Sequence, residues 1–174
     1  MTKINDIMLA RTGDKEAFSR SIYEIKDDAY KIAYCYLHNE HDALDAMQES
    51  IIRAYSSIKK LRESNYFKTW FIRIVINECK KILAYRNRFI LKDRPVSEDV
   101  YYDKNDNDIS GYLSDLDEKH RIIFYLKYYQ GYTFDEISKI LNVNTSTIKS
   151  RHYTALKILK TAYTEKEDVC YENS

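Results

Sequence analysis

The sequence predicts an all-α fold with two small helical domains joined by an acidic flexible linker. Three observations support this prediction. The 174 residues include three Gly and one Pro, too few for the tight turns that an all-β chain needs. Apolar residues recur at steps of three and four along most of the chain, which is the spacing of amphipathic helices. The charge, finally, separates into two basic parts with an acidic part between them.

The charge distribution indicates where the domains lie. Residues 1–92 carry 17 Lys and Arg against 12 Asp and Glu, residues 93–118 carry 2 against 9, and residues 119–174 carry 9 against 6. Residues 59–92 alone hold ten basic and two acidic side chains, so the first domain has a basic end. The expected segments are a first domain over 1–92, an acidic linker over 93–110, a second domain over 111–166 and a tail over 167–174. An acidic loop that only aids solubility fits this composition equally well.

The first half of the first domain is predicted to contain a short helix followed by one long helix. The short helix contains Ile4, Ile7 and Met8 and ends before Asp14, a plausible N-cap. The long helix is predicted from an apolar stripe with steps of three and four: Phe18, Ile22, Ile25, Ala29, Ile32 and Tyr36.

Two more helices complete the first domain. Asp42 is expected to cap the first of them, and its apolar stripe is Leu44, Met47, Ile51, Ala54 and Ile58. The second runs from about Phe67 to about Arg86, with Phe71, Ile74, Val75 and Ile82 inward. These helices form a bundle with one basic face.

Aromatic, amide and cationic side chains mix around the start of that last helix, as on a surface that holds unstacked bases. They are Asn65, Tyr66, Phe67, Trp70, Arg73, Asn77, Lys80 and Lys81. The aromatic residues could equally belong to the core, with the lysines solvated around them.

The second domain has the pattern of a helix-turn-helix. Its first helix carries Leu116, Ile123, Phe124 and Leu126 and ends at Gly131. A capping box from Thr133 to Glu136 opens a short helix, and a turn at 142–145 precedes the last helix. The inner face of that last helix is Ile148, His152, Ala155 and Leu159, and its outer face includes Lys149, Ser150, Tyr153 and Lys157. Polar and cationic residues outside, with a packed inner face, favour DNA binding over a plain amphipathic surface helix.

Several other classes of protein are disfavoured. Cys35, Cys79 and Cys170 include no CxxC pair, so we expect reduced structural thiols. Cys35, His38 and His41, with Asp45, invite a metal interpretation, but steps of three drift around a helix and we expect no metal site. No catalytic or phosphate-loop motif occurs, so we expect neither an enzyme nor a cofactor. Lacking an apolar signal core or a membrane span, the chain is expected in the cytosol.

Several runs of residues resemble one protein family. The run from Asp42 to Tyr55 resembles region 2 of the extracytoplasmic-function (ECF) sigma factors of bacterial RNA polymerase. The run from Phe67 to Asn77 is similar to that family's next segment, in which a W-L-x-R-I-x-x-N pattern recurs. Residues 132–143 and 147–151 resemble its region 4. The sequence departs from the family pattern at Asp117, where Pro is frequent, and at Asn144, Ser146 and His152.

The resemblance implies three binding surfaces. The surface for the clamp coiled coil of core polymerase comprises Asp45, Gln48, Glu49 and Ile52. The surface for the melted minus-10 strand comprises the loop from Leu61 to Tyr66, with Asn65 and Tyr66 in it, and Trp70, Arg73, Asn77, Lys80 and Lys81. The surface that reads the minus-35 element in the major groove comprises Thr147, Lys149, Ser150, Arg151, Tyr153, Thr154 and Lys157.

The resemblance also implies partners and a cellular role. Core polymerase would be contacted at its clamp and flap, and promoter DNA as duplex and as melted strand. An anti-sigma factor, commonly membrane-anchored, would hold the chain inactive at the inner face of the membrane until a stress or envelope signal arrives. A free-standing helix-turn-helix regulator is the alternative from another class. A pure protein adaptor is a third interpretation, which leaves the two basic surfaces unexplained.

Overall fold

A computed structural model describes residues 2–89, 113 and 116–172, and it divides the chain into two compact units, 1–97 and 98–174. All regular structure in the described residues is helical, which confirms the all-α prediction. The predicted acidic linker over 93–110 lies outside the described residues, as do the last two residues of the predicted tail. The predicted domain boundaries therefore stay a prediction.

Five α-helices and two short 3₁₀ turns form the described part of unit 1. The helices are α1 (Thr2–Thr12), α2 (Lys15–Tyr23), α3 (Lys26–Leu37), α4 (Glu40–Ser57) and α5 (Phe67–Phe89), and the 3₁₀ turns are Ile58–Lys60 and Ser64–Tyr66. Helices α3, α4 and α5 pack against one another, and α1 packs on α2. The core is centred on α5, where Phe71, Ile72, Val75 and Ile76 are fully buried.

The prediction of one long helix over Phe18 to Tyr36 is wrong, because the chain forms two helices there. Asp14 caps α2 by accepting a hydrogen bond from the Ala17 amide at 3.0 Å, as predicted. The helix then stops at Glu24, and Ile25 leaves regular helical geometry with φ −118° and ψ −2°. Neither residue is Gly or Pro, so the sequence gives no breaking signal here. The apolar stripe continues across the break, which is why its period suggested a single helix.

Helix α4 begins at a different cap from the one predicted. Asn39, not Asp42, is the N-cap, and its side chain accepts a hydrogen bond from the Asp42 amide at 2.9 Å. Asp42 instead accepts a hydrogen bond from Arg86 of α5 at 3.0 Å. The carboxylate predicted to stabilise one helix end therefore joins two helices.

Four of the five buried residues of α4 have small side chains, and the fifth is Met47, which was predicted to be inward. Ala43, Ala46, Ser50 and Ala54 are fully buried, and the Ser50 hydroxyl donates to the Ala46 carbonyl at 2.6 Å. Small side chains let α4 approach both α3 and α5 closely. Leu44, predicted to be inward, is exposed, because the buried stripe lies about one residue, or 100° of helix rotation, away from it.

Three helices form the described part of unit 2: α6 (Glu118–Tyr128), α7 (Phe134–Leu141) and α8 (Thr145–Glu172). Asp117 caps α6 by accepting from the His120 amide at 2.9 Å. The predicted capping box is present, with the Thr133 amide donating to Glu136 Oε2 at 2.8 Å and the Glu136 amide donating back to Thr133 Oγ1 at 3.3 Å. Left-handed Asn142, at φ 56°, ends α7.

Helix α8 packs against both α6 and α7. Ile148, His152 and Ala155 are buried on its inner face, as predicted, and Leu159 contributes to a cluster around Leu113 and Leu116. The helix continues to Glu172, although the sequence predicted a helix to about residue 160 followed by a polar tail. No Gly or Pro follows Gly131, so nothing in the sequence stops the helix.

Candidate functional site

The outer face of α4 combines acidic and apolar side chains. Asp45 and Gln48 are exposed, Glu49 is half-exposed, and Ile52 is 63% exposed. These four residues, which we call the α4 face, all point away from the buried stripe of small residues, as predicted. Leu44 and Tyr55 lie exposed beside them. Sequence reasoning assigned Leu44 to the core from its helical period and gave Tyr55 no role.

Glu49 is already engaged within the protein. Its Oε1 lies 2.9 Å from Arg53 Nε, and the same nitrogen lies 2.8 Å from Oε1 of Glu78 on α5. Glu78 also accepts hydrogen bonds from Lys81 Nζ, at 2.8 Å and 3.1 Å. Glu78, which sequence reasoning left out, is 5% exposed. An acidic residue within a basic segment was the available sequence signal.

The outer face of α5 carries most of the amide and cationic residues predicted to hold bases. Its members Trp70, Arg73, Asn77, Lys80 and Lys81 fall within a sector of about 100° on a helix with 100° per residue, and we call them the α5 face. Arg73, Asn77 and Lys81 are exposed, whereas Trp70 and Lys80 are half-buried. Burial lowers the pKa of Lys80, and the neighbouring Arg73 cation lowers that pKa further. The face is therefore positively charged around one exposed amide.

The loop before α5 extends this face. Asn65 and Tyr66 lie exposed on the second 3₁₀ turn, directly before α5 begins. Phe67, one residue further on, is buried and lies 6.4 Å from Phe71 between ring centroids, so its place is in the core. Sequence reasoning also passed over Lys59, Lys60 and Arg62, which are exposed in the same connection and were visible only as part of the charge count.

Helix α8 presents a polar surface on the side away from its packed face. Lys149, Ser150, Tyr153, Thr154 and Lys157 are exposed, with Tyr153 at 64%. Thr147 and Arg151, the other two predicted members, are half-buried at the edge of this surface. The seven residues, which we call the α8 face, lie on the second helix of a helix-turn-helix, the element that enters the major groove in such proteins.

The cysteines and histidines form no metal site in the described part of the chain. Cys35 and Cys79 are buried thiols that form no disulfide, and burial raises the pKa of the Cys79 thiol to about 12. The Cys79 thiol therefore stays protonated and poorly reactive. The Cys170 side chain lies outside the described residues. Among the described helices, none has the length and apolar content that a membrane span requires.

Two family models match the chain. The model for Sigma-70 region 2 matches residues 22–89, which include the α4 and α5 faces. The model for Sigma-70 region 4 matches residues 112–161, which include the α8 face.

Curated proteins resemble the chain over most of its length. It is 32% identical over 152 residues to RNA polymerase sigma factor SigV of Bacillus subtilis strain 168, an alignment covering 85% of this chain and 91% of that protein. It is 30% identical over 173 residues to ECF RNA polymerase sigma factor SigW of the same strain, covering 88% of this chain and 92% of that protein.

Solved structures share the fold. One is sigma factor RpoE in complex with anti-sigma factor NepR from Bartonella quintana, with a TM-score of 0.70, 18% identity, and coverage of 84% of this chain and 96% of that chain. Another is CnrH in complex with the cytosolic domain of CnrY, with a TM-score of 0.70, 16% identity, and coverage of 95% and 99%.

Proposed function

Because this chain belongs to the ECF sigma factors of bacterial RNA polymerase, we propose that its three exposed faces divide the work of promoter recognition. The two family models and the curated relatives confirm the family resemblance identified in the sequence. As a member, the chain binds core RNA polymerase and gives it promoter specificity in transcription initiation. The polymerase carries out the chemistry of RNA synthesis, and we assign no reaction to this chain itself.

The α4 face is proposed to bind core polymerase. Its Asp45 and Glu49 carboxylates suit a cationic partner, and exposed Ile52 with Leu44 and Tyr55 supplies apolar area for burial. Apolar contact surrounded by charge is the usual composition of a specific protein interface. The acidic charges would steer the encounter, and the apolar residues would contribute to its lifetime.

The α5 face is proposed to bind the melted minus-10 strand. Asn77 can hydrogen-bond the edge of an unstacked base, while Arg73 and Lys80 lie beside it to contact phosphates. Tyr66 and Trp70 offer aromatic surface near the start of the helix, and Tyr66 is exposed. Base stacking and phosphate neutralisation together stabilise a single strand over the duplex.

The α8 face is proposed to read the minus-35 element. The observation that carries the proposal is the division of α8 into a buried face of Ile148, His152 and Ala155 and an exposed face with Lys149 and Tyr153. A recognition helix needs this division, because one face must be held by the domain while the other reaches base edges and phosphates.

Run-off transcription with added core polymerase separates this function from a free-standing helix-turn-helix regulator. We expect the chain to support transcripts that start at one defined position on its own promoter, and core polymerase alone to give none there. A regulator would bind duplex DNA without polymerase and would not confer a start site. The match of residues 22–89 to region 2 favours the sigma factor, since a regulator has no need of that module.

An anti-sigma factor is the proposed negative regulator. The solved relatives CnrH and RpoE are each in complex with a partner, which for RpoE is named as an anti-sigma factor. We propose that this chain acts in the cytosol and is held inactive by such a partner at the membrane until an envelope or stress signal releases it. Inspection of the adjacent gene for a membrane span, followed by co-purification of its product with this chain, tests the proposal.

A further inference from the structure

Four side chains of alternating charge connect the α4 face to the α5 face. Arg53 Nε lies 2.9 Å from Glu49 Oε1 and 2.8 Å from Glu78 Oε1. Lys81 Nζ lies 2.8 Å from the same Glu78 oxygen. Glu49 and Arg53 belong to α4, and Glu78 and Lys81 belong to α5. The series Glu49–Arg53–Glu78–Lys81 therefore crosses from one helix to the other.

Glu78 differs from the other three members in burial. Its side chain is 7% exposed, whereas those of Glu49, Arg53 and Lys81 are about half-exposed. Placing a carboxylate in such a site costs free energy unless cations compensate it, and here two cations share it. Lys81 lies on the α5 face, but it is therefore ion-paired with a buried carboxylate and is not available to bind a phosphate.

The Arg53 Nε group stands between two acceptors. An arginine Nε carries one hydrogen, so Glu49 and Glu78 compete for it. If a cation of a partner takes Glu49, Arg53 can turn fully toward Glu78. The Glu78 carboxylate is then compensated by Arg53 and holds Lys81 less strongly.

We propose that Glu78 is a positioning residue that couples the two faces, so that polymerase contact at Glu49 releases Lys81 to bind the phosphates of single-stranded DNA. The proposal rests on the function proposed above. Coupling between two binding sites is reciprocal, so DNA bound at Lys81 leaves Arg53 to compensate Glu78, which frees Glu49 and favours polymerase binding at the α4 face.

The first test measures phosphate contacts through the salt dependence of binding. Fluorescent single-stranded oligothymidylate is titrated with the full chain at several salt concentrations. Glu78→Gln removes the charge but keeps the shape, and it should bind more tightly, with a log–log salt slope steeper by about 0.7, the value for one added phosphate contact on a single strand. Between 50 and 200 mM salt, this is about 2.6-fold more loss of affinity than in the wild type.

Matched variants make this test specific. Lys81→Gln added to Glu78→Gln should return the slope to the wild-type value. In Glu49→Gln, Arg53 keeps Glu78 as its only carboxylate partner within the series, so the salt slope should also become steeper. Because Glu49→Gln is a surface change, it keeps the test decisive if Glu78→Gln fails to fold. Glu16→Gln, which removes an exposed carboxylate of α2 outside the three faces, should behave as the wild type. Wild-type slopes for Glu49→Gln, and for Glu78→Gln where it folds, would overturn the proposal, as would weaker binding with no steeper slope.

The second test measures the coupling itself. The affinity of the chain for core polymerase is compared with and without saturating oligothymidylate. The oligonucleotide should tighten polymerase binding of the wild type by about fivefold or more, the lower end of typical coupling. Glu78→Gln should reduce this gain, while Glu16→Gln keeps it. An equal gain in all three proteins overturns the coupling. Run-off transcription by the wild type decides the proposed function separately.

Discussion

His152 connects the stability of unit 2 to pH. It is 5% exposed, its Nε2 lies 2.9 Å from the Tyr128 hydroxyl, and Phe134 meets its ring edge-on. Burial lowers the pKa of His152 below its ordinary value of 6.5, and the Lys127 cation lowers it further. The neutral ring therefore contributes stability that is fully present above about pH 6.5 and is lost as pH falls through the folded-state pKa.

We expect His152→Leu to remove this part of the pH dependence. Thermal melting followed by circular dichroism from pH 7.5 to 5.5 measures it for both proteins. Carboxylates titrate in both, so the difference between the two profiles isolates His152. The wild type should lose more stability than the variant as the pH falls below about 6.5. Parallel profiles would show that the folded and unfolded states bind the His152 proton equally.

Asn77 tests the role of the α5 face at a single position. It is exposed in the middle of α5, where Asn is about 0.5 kcal/mol less favourable than Ala. Asn77→Ala should therefore keep or slightly raise the melting temperature, retain polymerase binding and impair promoter opening, measured by permanganate footprinting of the minus-10 region. Asn87→Ala, an exposed Asn in the same helix, is the control and should open promoters normally. Normal opening by both variants would leave Asn77 a solvent-facing residue.

The exposure of single residues was predictable where they lie opposite the apolar stripe of a helix. Arg73, Asn77, Lys149 and Tyr153 are exposed as expected, because each lies opposite a clear apolar stripe. Glu78 was not predictable as a buried residue, since its burial depends on Arg53 from another helix.

At the scale of helices, the periodic pattern predicted where helices form better than which residues they bury. Helix α7 begins at the predicted capping box. Helix α6 was predicted to carry Leu116 and to end at Gly131, but it begins after Leu116, because Asp117 caps it, and ends at Tyr128. In α4 the stripe of large residues suggested Leu44 as core, but close packing against two helices buried the small residues Ala43 and Ala46 instead. Which face of a helix is buried in this way depends on its neighbouring helices, so it cannot be predicted from the sequence of that helix alone.

The N-cap of α4 offers a stability test of the corrected assignment. Asn39→Ala removes the acceptor of the Asp42 amide and should lower the free energy of unfolding by about 1 kcal/mol. Asn39→Asp should retain nearly all stability, because Asp caps as well as Asn. Urea denaturation followed by Trp70 fluorescence, which reports on unit 1, measures both. If Asn39→Ala and Asn39→Asp unfold at the same midpoint as the wild type, the side-chain cap contributes nothing.

The recognition helix is tested by two exposed positions on the α8 face. Lys149→Ala should lose a phosphate or base-edge contact and Tyr153→Ala an apolar contact, each costing about 1 to 3 kcal/mol if it reads a base. Transcription should fall at promoters that depend on the minus-35 element. Lys160→Ala, which removes a cation from the same helix beyond the α8 face, is the control. Unaltered promoter choice in both test variants would mean that another face of α8 meets DNA.

At the scale of the whole molecule, the charge balance of the sequence already separated two basic parts, and the structure forms two compact units. Each unit has its own core and its own exposed faces. How the units are used together depends on polymerase and promoter, which the sequence of one chain does not contain. In the proposed function, the three faces carried by these two units therefore act on one complex.

Two substitutions, one in each unit, test that division. Asp45→Lys reverses an exposed charge on the α4 face, where its described ion-pair partner is His41 at 3.6 Å. It should change folding by at most about 0.5 kcal/mol yet weaken polymerase binding by about tenfold or more through charge repulsion. Lys149→Ala should leave polymerase binding unchanged and weaken use of the minus-35 element. We choose Asp45 over Glu49 because Glu49 is ion-paired with Arg53, which also contacts Glu78.

Combined in one chain, these substitutions should act independently. At concentrations of chain and promoter below saturation, the transcription rate is proportional to both affinities, so the two losses should multiply. Independent sites add in free energy to within about 0.5 kcal/mol, or about twofold in rate. Run-off transcription of both single variants and the double variant gives the comparison. A double variant more than about twofold away from the product would mean that the α4 and α8 faces communicate within the complex, because separate contacts alone cannot produce such an interaction energy.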